Sequence, residues 1–407
     1  MNTSFASFGL APELLRGLDE KGYIEPTPIQ REAIPAGLAG RDVVGAAQTG
    51  TGKTAAFLLP ILQRLKHGRQ GTLRALVLVP TRELADQVFH SALSYGKYSR
   101  LEAVAVYGGV SLEKQTRALK DRVDIVIATP GRLLDHMGRG HIDCSDIEVL
   151  VLDEADRMLD MGFSHDVNRI LGVLPIEHQT LLFSATISDQ VDRLARRALK
   201  DHAAVEVGGR AAAAKGVEHL LVAVDRLQKR HALVRLLGEL PERGRALVFT
   251  RTKHGADRLT RQLRSDGVRV AALHGGKAQS LRTRALDGFR EGRIRTLVAT
   301  DVAARGIHID DVVMVVNYDV PVDPEIYVHR VGRTARAGAQ GVALTLMSPD
   351  EWLLMYDVEK LMGMTFHRDV MPGLEPAVAP LQPLGRHAPA RRSGPSLRPR
   401  RGGARRR

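Results

Sequence analysis

Short, nearly unbroken apolar runs recur along the chain, and each is closed by a polar cluster. In the first half the runs at 73–79, 104–107, 124–128, 149–152 and 179–183 end in Pro80-Thr81-Arg82, Gly108-Gly109, Thr129-Pro130-Gly131-Arg132, Asp153-Glu154-Ala155-Asp156 and Ser184-Ala185-Thr186. A run that stays apolar at consecutive positions is buried on both faces, which predicts strands of a parallel sheet covered by helices. The alternation restarts in the second half. Runs at 246–249, 268–273, 296–299, 312–316 and 342–347 follow one another, the first four leading into Thr250-Arg251, His274-Gly275-Gly276, Thr300-Asp301 and Asn317-Tyr318. The residues after each strand of such a sheet lie along the edge where ligands bind.

Helical spacing of Leu10, Leu14, Leu15 and Leu18 predicts a short amphipathic helix near the start. The stretch from Gly22 to Gln30 has prolines at 26 and 28, which predicts an extended backbone. The Gln30 amide offers one donor and one acceptor, the pair needed to read an adenine edge. A packing helix is predicted over 352–361. Between the halves, residues 208–216 are small and Gly-flanked, the composition of a linker. The expected organisation is a first domain at 1–207, the linker, a second domain at 217–365, and a disordered tail at 366–407.

One stretch carries the strongest chemistry. After the apolar Asp42-Val43-Val44 comes Ala46-Ala47-Gln48-Thr49-Gly50-Thr51-Gly52-Lys53-Thr54, then a helix-like run. A Gly-rich turn between strand and helix aims backbone N–H groups at one point, and the helix dipole adds positive potential there. Lys53 supplies a full charge for terminal phosphates, and the Thr54 hydroxyl suits Mg²⁺. The strict phosphate-loop pattern has Gly where this chain has Ala47. Asp153 is placed to complete the Mg²⁺ site and Glu154 to orient the attacking water. Arg333 and Arg336, three apart, would share a helix face and offset charge on a transferred phosphate. ATP and Mg²⁺ are therefore the expected cofactors.

Composition narrows the setting. The chain has 407 residues, ordinary apolar content and a single cysteine, Cys144, which excludes an internal disulfide and a Cys-based metal site. No apolar run reaches 18 residues and no secretory leader is evident, so a cytoplasmic protein without membrane spans is expected. Net charge is +13, and nine arginines without an acid lie in 376–407, leaving +4 for the rest. That tail favours polyanions, nucleic acid first. Aromatics are 4% of residues, so contacts to a sugar–phosphate backbone are expected rather than a base-stacking platform.

This ordered set of motifs resembles that of the DEAD-box RNA helicases, over roughly residues 5–350. The resemblance implies two RecA-like domains and local unwinding of short RNA duplexes or remodelling of RNA–protein particles. It implies that Phe5 stacks on the adenine that Gln30 reads, and that Gln48, Thr49, Gly50, Thr51, Gly52, Lys53 and Thr54 hold the phosphates. Ser184 and Thr186 match the element that couples hydrolysis to strand separation, His329 the coupling histidine, and Arg333 and Arg336 the arginine fingers. RNA-backbone contacts map onto Pro80, Thr81, Arg82, Gly108, Gly109, Thr129, Pro130, Gly131, Arg132, Thr250, Arg251, Gln279, Arg282, Thr300 and Asp301. The short N-terminus and basic tail look most like the bacterial RhlE type. A monomer is expected, with the tail as an auxiliary RNA anchor, and ribosomal or RNA-decay assemblies as fitting partners. Two positions depart from the family pattern: His308 stands where a ribose-contacting Asp is usual, with Asp310 nearby, and Ala335 stands where Gly separates the fingers.

Overall fold

The computed structural model describes residues 4–47, 50–207, 217–304, 312–334 and 341–378. They form two compact units, each built on one seven-stranded parallel sheet. The first sheet contains β1 (Val43–Ala47), β2 (Ala75–Leu78), β3 (Ala103–Val106), β4 (Ile125–Ala128), β5 (Val149–Leu152), β6 (Gln179–Ser184) and β7 (Ala203–Val207), in the order β3-β4-β2-β5-β6-β1-β7. The second contains β8 (Val217–Ala223), β9 (Arg245–Phe249), β10 (Val270–Leu273), β11 (Thr296–Ala299), β12 (Val312–Asn317), β13 (Gly341–Met347) and β14 (His367–Val370), in the order β10-β11-β9-β12-β13-β8-β14. Counted from its own first strand, each sheet has the same order. These are the tandem RecA-like α/β domains that the motif pattern implied.

Two-sided burial is visible residue by residue. In the first unit Val77, Ile127, Val151 and Phe183 join one hydrophobic cluster, while their neighbours Leu76, Leu78, Val126, Leu150 and Leu182 join another. Successive side chains point to opposite faces, so two clusters mean helices on both sides. Gly45 of β1 allows Phe183 of β6 to lie against it; a Cβ there would overlap that ring. In the second unit Val222, Val248 and Val298 pack on one face, and Leu221, Ala343 and Met347 on the other.

Three strands escaped the sequence reading: β7, β8 and β14. β7 and β14 are poor in the large, uninterrupted apolar residues that marked the others, whereas β8 does hold such a run, from Leu220 to Ala223, behind Glu218 and His219. β14 is His367-Arg368-Asp369-Val370, three polar residues in four, and it owes its place to parallel pairing of His367 to Val370 with Leu220 to Ala223. The expected boundary at 365 is therefore too early, and residues 367–370 belong to the second sheet rather than to a tail. Residues 379–407, with most of the Arg-rich stretch, and the linker residues 208–216 lie outside the described residues.

The extended segment expected up to Gln30 is also shorter than read. A helix runs Pro28–Leu38, with Pro28 at its first turn, where a missing N–H costs nothing, and Gln30 at its third position. The helix Trp352–Met362 lies close to where it was expected.

Candidate active site

β1 ends at Ala47 and the helix Lys53–Leu65 begins at Lys53. Between them Gly50 and Gly52 take φ of 92° and 95°, a region that favours glycine. A Cβ on Gly52 would overlap the Gln30 amide. Gln48 and Thr49 lie outside the described residues. Gln30 is buried and uses both ends of its amide: Oε1 accepts from Thr27 N–H at 2.9 Å and Nε2 donates to the Gly52 carbonyl at 3.0 Å. The residue expected to read adenine is thus tied directly to the phosphate loop. Phe5 sits in a short 3₁₀ turn, its ring buried edge-on to Phe8 and Tyr23.

Lys53 is buried, and its Nζ donates to the Ala47 carbonyl at 2.8 Å. Thr54 follows it in the first turn of the same helix, half-buried. Asp153 and Glu154 follow β5, both buried. Asp153 Oδ1 accepts from the Glu154 N–H at 2.9 Å. Burial pushes the Asp153 carboxyl up to about 6, against the pull of the Lys53 ammonium, and the Glu154 charge adds to the rise. Glu154 has φ 51°, a left-handed conformation that a side chain other than glycine adopts at a cost. Its Oε2 meets Arg157 Nη1 at 2.6 Å, a fully buried pair.

Asp156 supplies a link that the sequence did not reveal. Its Oδ2 accepts from the N–H groups of Ala185 and Thr186 at 3.2 and 3.0 Å and from Thr186 Oγ1 at 3.0 Å. The Asp156 N–H donates to Ser184 Oγ at 3.2 Å, and that hydroxyl donates to the Thr186 carbonyl at 2.7 Å. The segment after β6 is therefore latched to the segment after β5, two residues from Glu154. Neither Asp156 nor Arg157 was singled out from sequence; only their place beside Glu154 hinted at a role.

The neighbouring strand ends bring three further motifs together. The order β3-β4-β2 sets Gly108-Gly109, Thr129-Pro130-Gly131-Arg132 and Pro80-Thr81-Arg82 side by side. Thr81 caps the helix Arg82–Tyr95 by accepting from Leu84 N–H at 3.3 Å. Thr129 precedes the helix Pro130–Gly138, with Pro130 in its first turn. The Arg82 guanidinium lies against Gly109, where a Cβ would collide with it. Arg132 Nη1 donates to the Val110 carbonyl at 3.3 Å.

In the second unit Thr250 is buried and Arg251 donates its N–H to Asp319 Oδ2 at 2.8 Å. Gln279 opens the helix Gln279–Arg290, and Arg282 is buried in its first turn. Thr300 is buried after β11. Asp301 faces Arg330, which sequence reading passed over. Arg330 Nε and Nη2 meet the two Asp301 oxygens at 2.6 and 2.9 Å, and Nη1 donates to Asn317 Oδ1 and the Asp319 carbonyl at 3.0 and 2.7 Å. His329 lies on the helix Pro324–Val331, which Gly332 caps. That helix ends before Arg333, a buried residue in the following turn, so the shared helix face expected for Arg333 and Arg336 does not begin there. Arg336, Ala335, His308 and Asp310 lie outside the described residues.

Comparison with known proteins gives a consistent picture. Residues 27–194 match the DEAD/DEAH box helicase family and residues 228–338 the helicase conserved C-terminal domain. The chain is similar to the DEAD-box ATP-dependent RNA helicase CshA of Geobacillus kaustophilus, 42% identical over 92% of this chain and 80% of that one. It is similar to the ATP-dependent RNA helicase CshA of Listeria monocytogenes, 45% identical over 88% and 68%. Among solved structures it resembles S. cerevisiae Dbp5 bound to RNA and ADP BeF3, with 34% identity, a TM-score of 0.82, and 90% and 95% of the two chains covered. It also resembles the DEAD-box helicase Mss116 bound to ssRNA and UDP-BeF, with 28% identity, a TM-score of 0.83, and coverage of 91% and 81%. The expected likeness to the RhlE type is not supported, since the two bacterial relatives are CshA helicases. No helix among the described residues is long and apolar enough to cross a membrane.

Proposed function

This chain belongs to the DEAD-box family of ATP-dependent RNA helicases, enzymes that hydrolyse ATP, and on that premise we propose how its own residues bind nucleotide and act on RNA. The observation that carries the reading is the burial of Lys53 and Asp153 just after β1 and β5, with the Asp153 carboxyl pushed up to about 6. Buried charges of this kind are costly without a ligand to neutralise them.

Backbone N–H groups from Gly50 to Lys53 and the N-terminus of the following helix hold the phosphates of ATP. Lys53 releases the Ala47 carbonyl to meet them. Gln48, Thr49 and Thr51 complete the loop, and Gln30 and Phe5 hold the base. Thr54 and Asp153 would hold Mg²⁺, a hard cation that suits a hydroxyl and a carboxylate oxygen. Mg²⁺ bound there neutralises phosphate charge. Glu154, aimed by Arg157, orients the attacking water and accepts its proton. Arg333 and Arg336 offset the charge that develops on the transferred phosphate.

RNA is held through its backbone by Pro80, Thr81, Arg82, Gly108, Gly109, Thr129, Pro130, Gly131 and Arg132 in the first domain. In the second domain Thr250, Arg251, Gln279, Arg282, Thr300 and Asp301 do the same, with Arg330 fixing Asp301. The latch from Asp156 to Ser184 and Thr186, together with His329, transmits the state of the nucleotide to those elements. The protein works as a cytoplasmic monomer, with its Arg-rich tail as an added RNA anchor.

RNA-stimulated phosphate release tests the assignment. Lys53→Ala and Glu154→Gln should each lower turnover about a hundredfold or more. Unchanged turnover in both variants would refute it.

A further inference from the structure

The helix Leu112–Lys120 belongs to none of the motifs, yet it buries one polar residue, Gln115. The Gln115 amide is engaged at both ends. Its Nε2 donates to the Tyr107 carbonyl at 3.0 Å, immediately before Gly108-Gly109. Its Oε1 accepts from Arg132 Nη1 at 3.0 Å. The same Arg132 nitrogen donates to the Val110 carbonyl, immediately after the two glycines. Gln115 and Arg132 thus close a ring around Gly108-Gly109, gripping the segment at both ends.

The orientation of the amide is dictated by its neighbours, because a carbonyl only accepts and a guanidinium only donates. The Gln115 oxygen also lies 3.3 Å from His136 Nε2, so that nitrogen must carry a proton. His136 Nδ1 is then an acceptor for His141 Nδ1–H at 3.2 Å. That proton also meets Thr116 Oγ1 at 3.2 Å, whose own hydroxyl donates to the Leu112 carbonyl at 3.0 Å. One placement of the ring protons satisfies every member, with the His136 imidazole neutral. Burial, with His141 beside it, lowers the His136 pKa and favours that state.

We propose that Gln115 is a positioning residue for RNA binding: it fixes the spacing between the Gly108-Gly109 segment and the Arg132 guanidinium, and His136 holds its amide the right way round. The inference rests on the reading above that these two elements contact RNA. Gln115 itself touches no substrate. A loose glycine pair would have to be ordered each time RNA binds, and the ring removes that cost in advance.

The test is RNA-stimulated ATP hydrolysis by the full chain, titrated with single-stranded RNA at saturating ATP. Gln115→Met keeps the side-chain length and deletes every hydrogen bond. Gln115→Glu keeps the acceptors for Arg132 and His136 but has no donor for the Tyr107 carbonyl. Both should raise the KM for RNA, by about tenfold for Gln115→Met, while kcat and the KM for ATP stay within about twofold. Adding Gln115→Met to Arg132→Ala should raise KM by less than about twofold beyond Arg132→Ala alone, because the two act through one ring. If Arg132→Ala raises KM and neither Gln115 variant that folds does so, the positioning role is overturned and the RNA reading stands. If Arg132→Ala itself leaves KM unchanged, the RNA reading of this element fails and takes the proposal with it. Losses of kcat and of ATP dependence in step with KM would mark Gln115 as a structural residue and also overturn the proposal.

Discussion

The two domains share one strand order and differ in what they do with buried charge. In the first, Lys53 is met by a backbone carbonyl and Asp153 by a backbone N–H, so neither has an ion partner among their described contacts. In the second, Lys229 is paired with Glu351, both buried, and Arg330 with Asp301. The strand ends tell the same story. β5 is followed by two carboxylates, whereas β12 is followed by Tyr318 and Asp319, and Asp319 is taken up by the Arg251 N–H. β1 leads into a glycine loop, while β8 leads into Val224-Asp225-Arg226, with no glycine before the next helix. One architecture therefore leaves Lys53 and Asp153 without a described ion pair in one copy, beside the buried Glu154–Arg157 pair, and pairs Lys229 and Arg330 with carboxylates in the other. The fold alone did not decide this.

The largest expected effect breaks or confirms this contrast. Lys53→Met should abolish RNA-stimulated turnover, by about a thousandfold, yet change stability by no more than about 1 kcal/mol, since its described hydrogen bond is to a backbone carbonyl and Asp153, the carboxyl it attracts, can take up a proton in its absence. Lys229→Met should do the reverse. It leaves buried Glu351 with only the more distant Arg251, 3.7 Å away, and should cost about 3 kcal/mol, read as a lower urea midpoint for the second domain. Equal losses of turnover in both variants would erase the distinction.

A smaller effect concerns the Arg-rich stretch at the end of the chain. Removing residues 376–407 should leave turnover at saturating RNA within about twofold, but weaken RNA binding and flatten its dependence on salt. An unchanged salt slope would remove the tail from the account.

The smallest effect sharpens the second-domain side. His219 of β8 packs in a three-ring cluster with Phe366, which leads into β14 and lies parallel to it, and Tyr327, whose hydroxyl meets its Nδ1 at 2.9 Å. Burial lowers its pKa from the ordinary 6.5. Below pH 6.5 the unfolded chain takes up a proton that folded His219 refuses, so its contribution is complete above 6.5 and declines as pH falls toward the folded value. His219→Phe should reduce the loss of stability between pH 7.5 and pH 5.5; an identical pH slope would show that the stack does not titrate in this way.

The sequence made the proposed nucleotide-binding side of this contrast legible because its residues sit in short contiguous strings that the structure places at strand ends. Lys53 with Thr54, and Asp153 with Glu154, needed no tertiary information. What escaped depends on partners far apart. Arg330 finds Asp301 from 29 positions away, and Asp156 reaches Thr186 from 30. β14 escaped for another reason: backbone pairing holds it, while its mostly exposed side chains carry no apolar signal. The helix stop before Arg333 follows from Gly332, a small residue easily read as part of a continuing basic helix.

The central claim is that nucleotide is held by the first domain and turned over only with the guanidiniums of the second. Arg333→Ala tests it most directly, with binding of a fluorescent ATP analogue and RNA-stimulated phosphate release measured on the same full-length preparation. The account predicts an affinity within about threefold of the parent and turnover lower by about a thousandfold. Turnover at the parent rate, or an affinity lost in proportion to turnover, would contradict it.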